Sequence, residues 1–254
     1  MSKDLIIAMG LLMPGITTAL GAVPVFFTRS ISRKWLDALL GFAAGVILAA
    51  TAFSLILPSI EYGGGTAIAV LVTAVGIIVG ALLIDLVDHF SPHEHLLNKH
   101  HEGAVNTSLS KIWLFIIAIT IHNIPEGMAV GVAFGSGDIG IGLPIAIGIS
   151  LQNMPEGLAV AVSLLREGYS KRTSFIVAAL TGLVEPIAAV LGYFLVGLFN
   201  PLLPFALAFA GGAMLFVISD EIIPETHAND NQRVATWGLM IGFVIMMVMD
   251  ILLG

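Results

Sequence analysis

The chain has 254 residues, of which 57% are hydrophobic and only 11% charged, with a formal net charge of −7 and no cysteine. A soluble domain carries about 25% charged residues, so the composition excludes a water-soluble fold and points to an integral membrane protein. Without cysteine, disulfides and thiolate ligands are both excluded, and any metal site must use imidazole, carboxylate, amide, carbonyl or thioether groups.

Apolar windows of about 20 residues predict bilayer-crossing helices. Eight occur, at residues 5–27, 36–57, 66–87, 112–134, 139–164, 175–199, 203–223 and 235–253. The fold class is therefore all-α and polytopic. The connections are short, so residues 1–254 read as one transmembrane domain with no room for a soluble catalytic unit. An enzyme and a nucleic-acid partner are not expected; the lipid bilayer is. Lys3 and Asp4 precede a full-length first span with no small-residue cleavage pattern, so no cleaved leader is expected.

Arg29, Arg33 and Lys34 follow span 1, Lys99 and Lys111 follow span 3, Arg166, Lys171 and Arg172 follow span 5, and Arg233 follows span 7. The loops after spans 2, 4 and 6 hold no Lys or Arg. Nine of the ten basic residues thus lie on one side, which the positive-inside rule makes cytoplasmic. Both termini are then expected on the outer side of a cell (inner) membrane. Trp35, Trp113 and Trp237 begin spans on the cytoplasmic side, as interfacial anchors do.

Span 2 carries the small-residue pair Gly41/Gly45 and ends outside in Ser54, Pro58 and Glu61. Span 3 carries Gly76/Gly80 and ends inside in Asp85, Asp88 and His89. Such Gly-x-x-x-Gly pairs, with Gly127/Gly131 and Gly238/Gly242 further on, predict close helix–helix packing. Residues 89–111 then form a polar loop in which His89, His93, His95, His100 and His101 alternate with acids. Neutral imidazoles bind transition metals, so a cytosolic metal-collecting loop is expected, without the spacing of a structural zinc module.

Spans 4 and 5 contain matched hexapeptides thirty positions apart: His122-Asn123-Ile124-Pro125-Glu126-Gly127 and Gln152-Asn153-Met154-Pro155-Glu156-Gly157. His122 and Glu126, like Gln152 and Glu156, are four apart and share a helix face. The prolines free the carbonyls of Ile121 and Leu151. An ionised carboxylate in hydrocarbon costs at least a few kcal/mol unless neutralised, and neither span holds Lys or Arg. Spans 4 and 5 run antiparallel, so a two-fold pseudosymmetry brings the motifs together near the midplane. One imidazole, one amide and two carboxylates then converge, a donor set suited to Zn²⁺, Fe²⁺ or Mn²⁺. Glu185, before Pro186 in span 6, is a third acid without a basic partner. Asp220, Glu221, Glu225 and His227 end span 7 inside. The sequence offers no partner for Asp37, Asp138 or Asp250.

These residues resemble the signature of the ZIP (Zrt/Irt-like protein) family of divalent metal transporters. The likeness rests on HNIPEG and QNMPEG and extends through GFAAGVILAATAFSLILP, Glu185, SDEIIPE and the His-rich loop, nearly the whole chain. It is greatest to the prokaryotic GufA-like branch. The resemblance implies an eight-helix 3+2+3 inverted repeat, commonly dimeric, that moves Zn²⁺ and related Fe²⁺, Mn²⁺, Co²⁺ and Cd²⁺ into the cytoplasm. Metal is then substrate, and no catalytic cofactor is implied. It further implies a main site of His122, Glu126, Gln152 and Glu156, and an adjoining one of Asn123, Asn153 and Glu185 that shares Glu126 and Glu156. Ser54 and Glu61 would mark the entrance; Asp85, Asp88, His89, His93, His95, Asp220 and Glu221 would mark the release side. Two departures stand out. Ile47 lies where some relatives have a Met ligand, and Asn153 where some have Asp. The same acids would also serve a divalent cation channel, or an intramembrane metalloenzyme. Against the enzyme, the chain lacks His-Glu-x-x-His and a second intramembrane His.

Overall fold

The computed structural model describes residues 2–27, 32–90, 93–94, 101–102, 111–227 and 230–253. Helix α1 spans Lys3–Ala22 and starts where the Ser2 hydroxyl accepts from the Leu5 amide; Ser32 caps α2, Arg33–Ala49, in the same way. The chain continues through a π-helical stretch, Ala50–Ile56, into α3, Leu57–Tyr62. A turn with positive φ at Gly64 and Gly65 reverses it into α4, Ala67–Phe90. Two-residue strands, β1 His93–Glu94 and β2 His101–Glu102, pair antiparallel with His93 opposite Glu102 and Glu94 opposite His101.

The motif helices follow: α5, Lys111–Gly135, and α6, Ile139–Arg166, which is capped by the Asp138 carboxylate. Next come α7, Lys171–Gly182, and α8, Val184–Leu198, interrupted at Leu183 because Pro186 cannot donate to the Gly182 carbonyl. Helix α9, Leu203–Val217, passes through a second π-helical stretch, Ile218–Ile222, into α10, Ile223–His227. Helix α11, Gln232–Leu253, ends the described chain. Both π-helical stretches have one cause: each holds the carbonyl, of Ser54 or Asp220, that Pro58 or Pro224 four residues on cannot satisfy.

Seven stretches among the described residues are long and apolar enough to cross a bilayer, and the 25-residue α5 supplies the eighth predicted span. Beside an apolar core, many of their large apolar side chains point outward. Leu71, Val75, Ile78, Leu82 and Leu86 of α4 are exposed, whereas His122, Glu126, Gln152, Glu156 and Glu185 are buried. That inversion of a water-soluble protein is what a lipid solvent demands. The apolar window of α6 is 83% buried and that of α11 17%, so α6 is central and α11 peripheral.

The most extensive helix pairs are α1 with α6, α5 with α8, α2 with α11 and α4 with α9. Exchanging the first three spans with the last three, and α5 with α6, maps this set onto itself. The details repeat as well. Gly157 abuts the Thr18 carbonyl and Gly127 the Glu185 carbonyl, and Thr18 and Glu185 are 167 positions apart. This is an inverted repeat written in contacts. The predicted small-residue pairs lie at these seams: Gly41 and Gly45 meet the backbone of Ala235 and Leu239, and Gly238 and Gly242 meet Ala38 and Phe42.

Candidate metal centre

In α5 one helical turn separates His122 from Glu126, and in α6 one turn separates Gln152 from Glu156. The close α5–α8 and α1–α6 seams hold those faces toward each other. His122 Nε2 lies 3.0 Å from Glu126 Oε1 and 3.7 Å from Glu156 Oε1, with all three side chains at most 5% exposed. Ligand atoms of His122, Glu126 and Glu156 all fall within 4.8 Å of one another. Gln152 Nε2 donates to Glu126 Oε1 at 2.5 Å, so the fourth motif residue joins them.

The centre is rich in acceptors that lack donors. Glu126 Oε2, Gln152 Oε1 and Asn123 Oδ1 are buried with no hydrogen-bond partner among the described residues. Each buried unsatisfied polar atom costs about 1–3 kcal/mol, more when charged. An oxygen and imidazole cluster of this kind gains from a cation, and a dication with two carboxylates and one imidazole matches a zinc-type donor set.

The asparagines turn away from it along symmetric routes. Asn123 Nδ2 donates to the Thr181 carbonyl at 2.9 Å, and Asn153 Nδ2 to the Pro14 carbonyl at 3.1 Å. Glu185, fully buried, accepts from Thr18 Oγ1 at 3.0 Å and from Asn153 Nδ2 at 2.5 Å. Thr18 and Pro14 of α1 are absent from the sequence reading; the available signal was a hydroxyl one turn after a proline inside an apolar span.

Comparison with known proteins places this arrangement. Residues 91–250 match the family model described as ZIP Zinc transporter. The chain belongs to the ZIP family. Over 247 residues it is 44% identical to zinc transporter GufA of Myxococcus xanthus, covering 96% of this chain and 97% of that protein. It is 46% identical to zinc transporter ZIPB of Bordetella bronchiseptica, over 93% of this chain and 78% of the other. Human zinc transporter ZIP11 is 36% identical over 93% of this chain and 94% of its own length. These likenesses set it in the prokaryotic GufA-like branch.

Other predicted residues of this ZIP protein fall at the two ends of the bundle. At the end that carries the termini, Ser54, Glu61, Tyr62, Asp138 and Asp250 line a cavity of about 630 Å³. Ser54 donates to Asp250, and Tyr62 OH lies 3.5 Å from Asp138 Oδ2. The sequence pointed to Ser54 and Glu61 here but not to Asp138 or Asp250. Asp37, at the other end, accepts from Arg33 Nε at 2.9 Å and Asn231 Nδ2 at 3.0 Å, which ties α2 to the start of α11. Asp85 and His89 are exposed on α4, and Asp220 is half-buried in the second π-helical stretch. His95 and His100, and the side chains of Asp88, His93, His101, Glu221 and Glu225, lie outside the described residues. Ile47 is buried in the apolar core.

Proposed function

We propose that this ZIP protein carries divalent transition-metal cations, Zn²⁺ foremost and Fe²⁺, Mn²⁺, Co²⁺ and Cd²⁺ as related substrates, across the inner membrane into the cytoplasm. The observation that carries the reading is the buried meeting of His122, Glu126 and Glu156 from two matched motifs. Hydrated metal enters the cavity beside Ser54, Glu61 and Asp250. It then exchanges waters for His122, Glu126, Glu156 and the Gln152 carbonyl near the membrane midplane. Two glutamates neutralise the dication, which lowers the cost of holding it in a low-dielectric interior. Release runs toward Asp85, Asp88, His89, Asp220 and Glu221, with His93 and His95 of the loop beyond. Imidazole and carboxylate bind metal only when deprotonated, so protonation of the same groups promotes release. The sequence resemblance supports a homodimer, and the basic loops support termini on the outer side.

Zn²⁺ uptake into proteoliposomes should saturate with concentration and disappear in Glu126→Ala and Glu156→Ala, both variants still inserting. Wild-type uptake in either variant would refute the assignment, and non-saturating flux would indicate a channel. Competition by the other ions ranks the substrates, and a pH gradient tests proton linkage.

A further inference from the structure

The polar groups behind the metal ligands obey a strict donor and acceptor order. Asn153 Nδ2 faces the Pro14 carbonyl at 3.1 Å and Glu185 Oε2 at 2.5 Å. A backbone carbonyl accepts and cannot donate, so the Asn153 NH₂ group must point at the Pro14 oxygen, and with it at Glu185. Its Oδ1 is thereby turned to Gln152, whose Nε2 donates to it at 2.7 Å and to Glu126 Oε1 at 2.5 Å. Both N–H bonds of Gln152 are then engaged. Rotating that amide by half a turn would set its oxygen against two acceptors. Its Oε1 is left buried and without a hydrogen-bond partner among the described residues, the one part of the side chain open to a cation.

The far end of the relay is anchored as firmly. Glu185 Oε1 accepts from the Thr18 hydroxyl at 3.0 Å, so both carboxylate oxygens of Glu185 hold neutral donors from two other helices. Withdrawing the Asn153 NH₂ group to free Glu185 would also break its bond to Pro14 and release Gln152. We propose that Glu185, Asn153 and Thr18 are positioning residues that present the Gln152 carbonyl oxygen to the substrate ion. The site then holds one divalent ion per chain, and Glu185 is not among its ligands. An Asp in place of Asn153 would still accept from Gln152 but could not donate to the Pro14 carbonyl or to Glu185, so the relay would lose its anchor.

This inference rests on the metal-transport reading of the same centre. It is tested with the full chain in nanodiscs for bound Zn²⁺ and in proteoliposomes for uptake. Wild type should bind one more Zn²⁺ per chain than Glu126→Ala, ions held by the His-rich loop being common to both. Glu185→Ala removes the anchor and should raise KM for Zn²⁺ about tenfold, the size typical of lost outer support around a metal. Glu185→Gln should bring KM back to within about threefold of wild type, because its carbonyl accepts from Asn153 while Thr18 turns its proton to the Pro14 carbonyl, 3.2 Å away. Asn153→Ala should raise KM in the wild-type background but add less than about twofold in Gln152→Ala, since both act through one oxygen. One bound Zn²⁺ fewer in Glu185→Gln than in wild type, or multiplicative effects of Asn153→Ala and Gln152→Ala, would overturn the proposal. Should Glu185→Ala fail to insert, the stoichiometry and the cycle still decide it. Equal Zn²⁺ binding by wild type and Glu126→Ala would sink the transport reading, and this inference with it.

Discussion

Under the proposed function Glu126 is asked to be two things at once: an acceptor for Gln152 through one oxygen and an open ligand through the other. Without metal that second oxygen is a liability, because a buried carboxylate facing Glu156 and an imidazole has no neutralising Lys or Arg in its span. Stability and function therefore oppose each other at this position. Glu126→Gln keeps the shape and one acceptor while removing the charge. We expect it to raise the melting temperature of the metal-free protein by a few degrees, the effect of about 1 kcal/mol in a chain of this size. It should also abolish the upward shift that Zn²⁺ gives wild type by binding the folded state alone. Thermal scans with chelator and with Zn²⁺ measure both. A metal-free melting temperature below wild type would argue that the glutamate is neutral and hydrogen-bonded within the bundle. The motif residues were legible in the sequence because two hexapeptides repeat with both acids in register. The contacts of Asp37 and Asp250 were not, since their partners lie 194 and 196 positions away and no local pattern announces them.

At the scale of helices, glycine decides how near two backbones come. A Cβ on Gly45 would overlap the Leu239 carbonyl, whereas one on Gly197 would meet no atom within 4 Å. Both glycines sit in or beside helical segments that hydropathy alone treats identically. Gly45→Ala must push α2 from α11 and should destabilise the protein by about 1–3 kcal/mol, as overpacking does. Gly197→Ala should stabilise it by up to about 1 kcal/mol through helix propensity. Unfolding by SDS in mixed micelles compares the two, and equal effects would deny the seam its role. Span positions were readable within a few residues because hydrocarbon imposes one long apolar run per crossing. Their internal breaks were not. Span 2 runs on through a π-helical stretch to Tyr62, and span 6 starts at Lys171 and is interrupted at Leu183. Apolar averages are blind to where a proline leaves a carbonyl unsatisfied.

For the whole molecule, the inverted repeat explains why the candidate metal ligands His122 and Glu126 of α5 meet Glu156 of α6. Four seams related by one exchange of halves build a bundle in which the two motif helices touch each other. The sequence foretold this only through its two hexapeptides, because the halves share packing rather than residues: Thr18 stands where Glu185 does, and Gln152 where His122 does. The distribution of Lys and Arg makes a separate claim about direction, with Arg166, Lys171 and Arg172 on the cytoplasmic side and Ser2, Gly64 and Gly137 outside. The absence of native cysteine makes that claim clean to test. Single cysteines at Ser2 and Gly64 should react with a membrane-impermeant maleimide added to intact cells or to spheroplasts, while one at Glu167 should react only after the membrane is opened. Both outer positions are exposed, and Glu167 is exposed as well, so accessibility in the folded chain does not bias the comparison. Labelling of Glu167→Cys in sealed cells would reverse the topology. It would place the cavity lined by Ser54, Glu61 and Asp250 on the cytoplasmic side and exchange the proposed entrance and release ends.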